Sequence, residues 1–193
     1  IVLSSVELNR GTQPVPQQDP AKDLIANGRY LDAALLLSDM AYSLPPPVQQ
    51  DYLLRVTSLL LQGNYIQQAD QILSSIDITN LPIDYFAKKL ILSAELSLAK
   101  QNPLAAARHL DQLQNNIFST TAENQVEFFR ARIDVNVGLS DYLGSAQART
   151  ALDALLGDID EKIENQETLL RDLQNVAPQD LDSASRQTTD PIM

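Results

Sequence analysis

A regular succession of turns is the feature that most limits how this chain can fold. Four turn elements follow one another at nearly constant spacing, and their sequences are "NGRY" (27–30), "QGNY" (62–65), "KQNP" (100–103) and "VGLSDY" (137–142). Their anchor residues lie 35, 38 and 37 residues apart, at Gly28, Gly63, Gln101 and Gly138. Each unit is therefore one hairpin, which buries its apolar side only when a neighbouring hairpin stacks on it.

Small residues recur at a fixed distance from these anchors. Six positions after each anchor stands an alanine or a glycine, at Ala34, Ala69, Ala107 and Gly144. A small side chain in the second helix of a hairpin lets that helix approach its neighbour closely. We therefore expect Ala69 and Ala107 to lie at tight helix joints. Glycine or asparagine in the turn favours the left-handed backbone that ends the first helix.

Apolar residues between the turns follow the helical period. Three series step by 3 or 4 residues and each lines one helix stripe: Val126, Phe129, Ile133 and Val137; Ala106, Leu110, Leu113 and Ile117; Ala148, Leu152, Leu155 and Ile159. No stretch alternates with the two-residue period of a strand. The sequence predicts an all-α, tetratricopeptide-like solenoid of about four hairpins, near 22–42, 47–76, 83–116 and 122–157.

A ninth helix is predicted at about 159–175, with Ile163, Leu170 and Leu173 on its packing side. Since a terminal repeat needs a polar outer face, this helix is interpreted as the cap of the stack. The helical domain then spans 21–176. The proline-containing start, 1–20, is predicted to be an extended linker, and 177–193 a polar tail.

Composition excludes several classes of function. The formal net charge is -11, from 14 Lys and Arg against 25 Asp and Glu, so nucleic acid and anionic lipid surfaces are poor partners. The chain has no cysteine, which excludes disulfides, thiolate metal sites and a cysteine nucleophile. No apolar run approaches the roughly 20 residues that a bilayer span requires.

Candidate catalytic groups are few. The one histidine, His109, has Asp111 two residues away on a different helix face, so it is interpreted as an ordinary side chain. The carboxylate pairs Glu123 with Glu127 and Asp160 with Glu164 are spaced one turn apart on polar segments, which is typical of solvated helix faces. We predict that the chain is not an enzyme and has no catalytic residues, metal ligands or cofactor.

Aromatic residues fall in the first helices of successive hairpins, at Tyr52, Tyr85, Phe86, Phe128 and Phe129. They favour one of two roles. Such side chains either form the core between adjacent hairpins or line a concave groove for a peptide. The core role is the more usual one.

Four segments, in their order and spacing, resemble one known family. They are "DYLLRVTSLLLQGNYIQQADQILSSI" (51–76), "LILSAELSLAKQNPLAAARHLDQL" (90–113), "VEFFRARIDVNVG" (126–138) and "ENQETLLRDL" (164–173). Over about 45–175 the chain is similar to the N-terminal helical domain of the LppC-type lipoproteins of Gram-negative bacteria, the LpoA family. Its lipid-bearing cysteine is absent, as expected for a chain that starts downstream of it, and its larger second domain has no counterpart here.

The resemblance implies a non-catalytic periplasmic domain of a lipoprotein that is anchored to the outer membrane. It implies a role in activating a class A penicillin-binding protein, as a stiff spacer or as a protein-interaction module, with peptidoglycan as a further candidate partner. Membrane attachment would come only through the lipid anchor. Two alternatives are a generic peptide-binding adaptor of the same fold and the helical scaffold of a peptidoglycan-cleaving enzyme.

Overall fold

The fold is an all-helical stack, as the sequence predicts. A computed structural model describes residues 19–189, which form ten α-helices, one 3-10 turn (Ile117–Ser119) and no strand. The helices are α1 (Lys22–Ala26), α2 (Tyr30–Ala41), α3 (Val48–Gln62), α4 (Ile66–Ser75), α5 (Ile83–Ala99), α6 (Pro103–Leu113), α7 (Ala122–Gly138), α8 (Tyr142–Asp153), α9 (Ile159–Asn175) and α10 (Pro178–Thr189).

Consecutive helices pair as hairpins, and the hairpins stack in chain order. The pairs α1–α2, α3–α4, α5–α6 and α7–α8 correspond to the four predicted hairpins. Within the stack, α3 packs on α5 and α5 packs on α7, so the first helices of three hairpins form one continuous layer. The prediction of a helical-hairpin solenoid is confirmed.

The turns share one backbone geometry, and it corrects the predicted register. A left-handed residue precedes the second helix of each hairpin by two positions, at Gly28, Asn64, Gln101 and Ser140, with φ between 58° and 68°. The predicted anchors Gly63 and Gly138 are therefore one and two residues too early. Glycine was a misleading marker because asparagine, glutamine and serine occupy the left-handed position in three of the four turns.

Counted from the left-handed residue, the buried small residue lies five positions on. These residues are Ala33, Ala69, Ala106 and Ser145, each 0% exposed. The prediction for Ala69 is confirmed, whereas Ala107 is only partly buried and its neighbour Ala106 occupies the joint. Gly144 is small for a different reason. A Cβ there would collide with the carboxylate of Asp141, whose Oδ1 caps α8 by accepting a hydrogen bond from the Gly144 amide at 2.9 Å.

Two hydrophobic clusters make up the core, and α5 belongs to both. Ala87, Ile91 and Ala94 pack with α6, α7 and α8, whereas Leu92 and Leu96 pack with α2, α3 and α4. The sides of α5 thus connect the first two hairpins to the last two. Burial of apolar surface on both sides of one helix makes the stack a single packed body.

The predicted apolar stripes are correct for the second helix of hairpin three and partly correct elsewhere. Ala106, Leu110, Leu113 and Ile117 are all buried. Val137 is 41% exposed at the end of α7, and Ile159 is 67% exposed because it begins α9 instead of continuing α8. Each apolar stripe ends where its helix ends, and helical periodicity alone does not predict the last residue of a helix.

The capping helix α9 has the predicted bounds but packs through polar residues. Ile163 and Leu170 are 49% and 59% exposed, and Leu173 is only half-buried, so the predicted packing side is wrong. The buried residues of α9 are Asn165 and Asp172. Both hydrogen-bond to α8: the carboxylate of Asp172 accepts from Ser145 Oγ, and Asn165 Nδ2 donates to the Arg149 carbonyl oxygen, which lowers the cost of burying these groups.

Residues near the two chain ends are only partly described. The predicted extended linker, 1–20, lies outside the described residues except for its last two. The predicted polar tail, 177–193, is polar but contains a helix, α10, at Pro178–Thr189. Proline suits the first position of a helix, where no amide donor is needed, and Pro178 begins this helix.

Candidate interaction groove

A groove runs across the first helices of hairpins two, three and four. It has a volume of about 640 Å³. Its lining combines a few apolar side chains with many charged ones: Ile25, Asp51, Leu54, Arg55, Ser58, Leu59, Gln62, Asp84, Tyr85, Lys88, Thr121, Glu123, Asn124 and Glu127. Because α3, α5 and α7 are successive first helices, equivalent positions of the repeat line the groove side by side.

Charged side chains form rows across these three helices. An acid stands in the first turn of each helix, at Asp51, Asp84 and Glu123. One turn further on, each helix presents another charged side chain, at Arg55, Lys88 and Glu127. Acids therefore outnumber bases by four to two among the residues lining the groove.

Both bases of the groove are already paired. Lys88 Nζ contacts both carboxylate oxygens of Glu127, and Arg55 contacts Asp19 through one Nη. The Arg55 guanidinium holds the pKa of Asp19 below its ordinary value. Asp51 and Glu123, by contrast, form no ion pair with the described residues. A ligand that enters the groove therefore meets unpaired carboxylates and bases that are already occupied.

One end of the groove is fixed by a hydrogen-bonded joint between α5 and α7. Asp84 Oδ1 accepts a hydrogen bond from the Thr121 amide at 2.8 Å and another from Asn124 Nδ2 at 3.0 Å. Asn124 is buried, and its Nδ2 also contacts the Asp84 carbonyl oxygen at 3.3 Å. This joint holds the first turns of the two helices in register.

Glu95 lies on α5 two helical turns after Lys88, outside the groove lining, and its carboxyl group has a raised pKa. Burial raises its pKa to about 7, and the nearby carboxylate of Glu127 adds to the increase. The ammonium of Lys88 opposes the shift, and Asp134 reinforces it. Glu95 is thus partly protonated near neutral pH. A raised carboxyl pKa often marks a functional site, although a charged packing row has the same effect.

The aromatic residues of the first helices mostly belong to the core. Phe128 and Phe129 are buried and pack edge to face with their ring centroids 5.2 Å apart. Tyr52 and Phe86 are partly buried against the two clusters. Tyr85 packs partly against the core and also lines the groove. The core interpretation is confirmed for four of the five, and the groove interpretation describes Tyr85.

The other candidate groups are dispersed. His109 is half-buried on α6, and its neighbour Asp111 pairs instead with Arg132 at 2.8 Å. Glu123 and Glu127 both line the groove, and Glu127 is occupied by Lys88. Asp160 and Glu164 are exposed on α9. Among residues 19–189, no group of three or more acidic or histidine side chains is arranged to hold a metal ion.

The charged rows of the groove correspond to a pattern in the sequence that spacing along a single helix does not show. Acids at 51, 84 and 123 each begin a first helix, and each is followed four residues later by a second charge. Comparing equivalent positions of the repeat would have revealed this pattern. Spacing along one helix identifies neighbouring carboxylates of that helix but not neighbours on adjacent helices.

Within the described range, no helix has both the length and the apolar character that crossing a bilayer demands.

Comparison with known proteins gives one match. The model of a family described as LppC putative lipoprotein matches residues 30–190, which is most of the chain and includes α2 to α10. No curated protein and no solved structure shows significant similarity.

Proposed function

Because the chain belongs to the LppC lipoprotein family, we propose that it is a non-catalytic periplasmic domain of an outer-membrane lipoprotein that activates a class A penicillin-binding protein. The family match over residues 30–190 is the observation that carries this proposal. The dispersed placement of His109 and of the carboxylate pairs supports the non-catalytic part. Peptidoglycan is a further candidate partner.

The stacked hairpins support a role as a stiff spacer. Since α5 contributes to both clusters, the hairpins are packed against one another without a break. A stiff connector holds its far end at a defined distance, whereas a flexible tether of equal length dilutes the effective concentration of that end. The domain would thereby carry a partner-binding region from the outer membrane towards the synthase.

The groove supports a second role, direct contact with the partner. Its unpaired acids, Asp51 and Glu123, fit a basic surface of the synthase or of a neighbouring protein. Opposite charges at such a contact mainly set the specificity and the rate of association. Both roles are compatible with the same fold.

A reconstituted synthase assay tests the proposal. Glycan polymerisation and peptide crosslinking by a purified class A synthase would be measured with the full-length lipoprotein and with a version that lacks this domain. We expect the deletion to lower stimulation. Full stimulation by the deleted protein would contradict the proposal, and so would glycan cleavage by the isolated domain.

Charge reversal separates the two roles. We expect Glu123→Lys to weaken stimulation if the groove contacts the partner, whereas Asp39→Lys, at an exposed position on α2, serves as the matched control. If the two variants stimulate the synthase equally while deletion of the whole domain abolishes stimulation, that combination would indicate that the domain acts as a spacer and that the groove does not contact the partner.

A further inference from the structure

A second cleft lies between α7, α8 and α9, away from the groove. Its volume is about 550 Å³. It is lined by Arg130, Ile133, Asp134, Arg149, Leu152, Leu156, Glu161, Glu164, Asn165 and Thr168. We refer to it as the α7–α9 cleft.

The base of the α7–α9 cleft is apolar. Ile133, Leu152 and Leu156 are 4%, 5% and 7% exposed, so they form a floor and not a rim. Such a floor accommodates an aliphatic chain, including the methylene stem of a long charged side chain.

Both bases of the cleft have partners of their own. Arg149 Nε donates to Asp172 Oδ2 at 2.7 Å, and this carboxylate also accepts a hydrogen bond from Ser145 Oγ at 2.6 Å. Arg130 pairs with Glu161 at 3.2 Å. Each arginine already has a carboxylate partner, so an anionic ligand would have to compete with Asp172 or Glu161.

Three oxygen-bearing groups of the cleft have no ion pair or hydrogen-bond donor at contact distance among the described residues, and Arg149 acts on one of them, Asp134, only from farther away. Asp134 on α7 and Glu164 on α9 form no ion pair with the described residues. Asn165 is 6% exposed and lines the cleft. Its Nδ2 donates to the Arg149 carbonyl oxygen at 2.9 Å, while its Oδ1 has no hydrogen-bond donor. An unsatisfied buried acceptor is costly, and a donor supplied from outside the chain would remove that cost.

We propose that the α7–α9 cleft binds a basic side chain, a guanidinium or an ammonium on an aliphatic stem, from a protein partner. The stem lies on the apolar floor. The charged head is held between the carboxylates of Asp134 and Glu164, and one of its N–H groups donates to Asn165 Oδ1. The choice of a protein as the source rests on the proposed function.

A titration with a small probe tests the cleft directly. N-acetyl-L-arginine amide and N-acetyl-L-citrulline amide have the same stem and nearly the same shape, but only the first is charged. Each would be added to ¹⁵N-labelled protein and followed by NMR. We expect the arginine probe to shift the Asn165 side-chain amide and the backbone of α7 and α9 saturably, and the citrulline probe to fail.

Neutralising substitutions provide the controls. Asp134→Asn and Glu164→Gln should each weaken binding of the arginine probe by about tenfold, because each removes a charge-assisted contact. Asp160→Asn, at an exposed acid of α9 outside the cleft, should leave it unchanged. The amide spectra of the variants report whether they are folded.

Three results would overturn the inference: no saturable shift, equal shifts with citrulline, or equal weakening by Asp160→Asn. The titration measures binding, whereas the synthase assay measures stimulation. Absence of binding in the cleft is therefore distinguishable from absence of the proposed stimulation of the synthase.

Discussion

Five residues after each left-handed turn residue, the second helix of a hairpin contacts its neighbour through a fully buried small side chain. The recurrence of small residues was predictable from the sequence. The exact positions of these residues relative to the turns were not predictable. Gln101 and Ser140 have no strong preference for the left-handed backbone, and Gly138, a residue type that adopts it readily, lies close to Ser140. Local propensity therefore does not explain the residue type at these two turns.

Ala106 and Ala107 form a matched pair for testing this register. Ala106→Leu should overpack the joint and cost about 1–3 kcal/mol, because the position is 0% exposed. Ala107→Leu should cost clearly less, since its partly buried side chain has room towards solvent. Thermal and urea unfolding of both variants measures the difference. A larger loss at Ala107 would contradict the register that the structure gives.

The raised pKa of Glu95 predicts a pH dependence of stability. An acid whose pKa is higher in the folded state binds its proton more tightly when folded, so its contribution falls as pH rises from its ordinary value of 4.5 to about 7. Glu95→Gln should therefore stabilise the protein at pH 8, by about 1 kcal/mol or more, and have little effect near pH 4. Glu123→Gln, at an exposed glutamate that lines the groove, is the control. A stabilisation by Glu95→Gln that is equal at both pH values would contradict this account.

At the scale of the element, α9 departs most from the sequence prediction. Helical periodicity places apolar residues on the packing face, yet α9 buries Asn165 and Asp172 and exposes Ile163 and Leu170. The bounds of α9 were predictable from its period and from Asp158, whose Oδ1 accepts hydrogen bonds from the Asp160 and Glu161 amides. Its packing face was not, since it depends on Ser145 and Arg149 in the preceding helix.

Asp172 should be the residue that holds the capping helix α9 against α8. Asp172→Ala leaves the Arg149 guanidinium and the Ser145 hydroxyl without their acceptor, which should cost about 3 kcal/mol or more. Glu167→Ala on the same helix removes only an exposed contact with Arg171, 3.9 Å long, and should cost well under about 1 kcal/mol. Chemical unfolding of the two variants compares them directly. Similar losses would show that the buried network does not hold α9.

At the scale of the whole molecule, the shared helix α5 should make unfolding cooperative. Ile91 belongs to the cluster of the last two hairpins and Leu92 to that of the first two, and both are buried. Ile91→Ala and Leu92→Ala should each cost about 2–5 kcal/mol. Hydrogen exchange should show α2 and α8 losing protection together in both variants. Loss confined to the hairpins nearest the substitution would indicate two independent units.

The fold class and the hairpin bounds were accessible from the sequence because they depend on periodicity and repeat spacing, and the family was accessible through the resemblance of four segments to known members. The groove and the α7–α9 cleft were not, because each joins residues from at least three helices; in the cleft these include Asp134 on α7, Arg149 on α8 and Asn165 on α9. Their partners depend on how the hairpins stack. That geometry follows from packing between repeats, and the sequence pattern of one helix does not specify it.

Replacement of the domain in cells is the most direct test of the claim that it is a non-catalytic spacer and interaction module. In the full-length lipoprotein, residues 30–190 would be exchanged for a flexible linker of equal reach or for an unrelated helical-repeat stack of similar length. Synthase activity in the cell wall would then be measured. The account predicts that the flexible linker fails and that the unrelated stack restores at least part of the stimulation. Full stimulation with the flexible linker would contradict it.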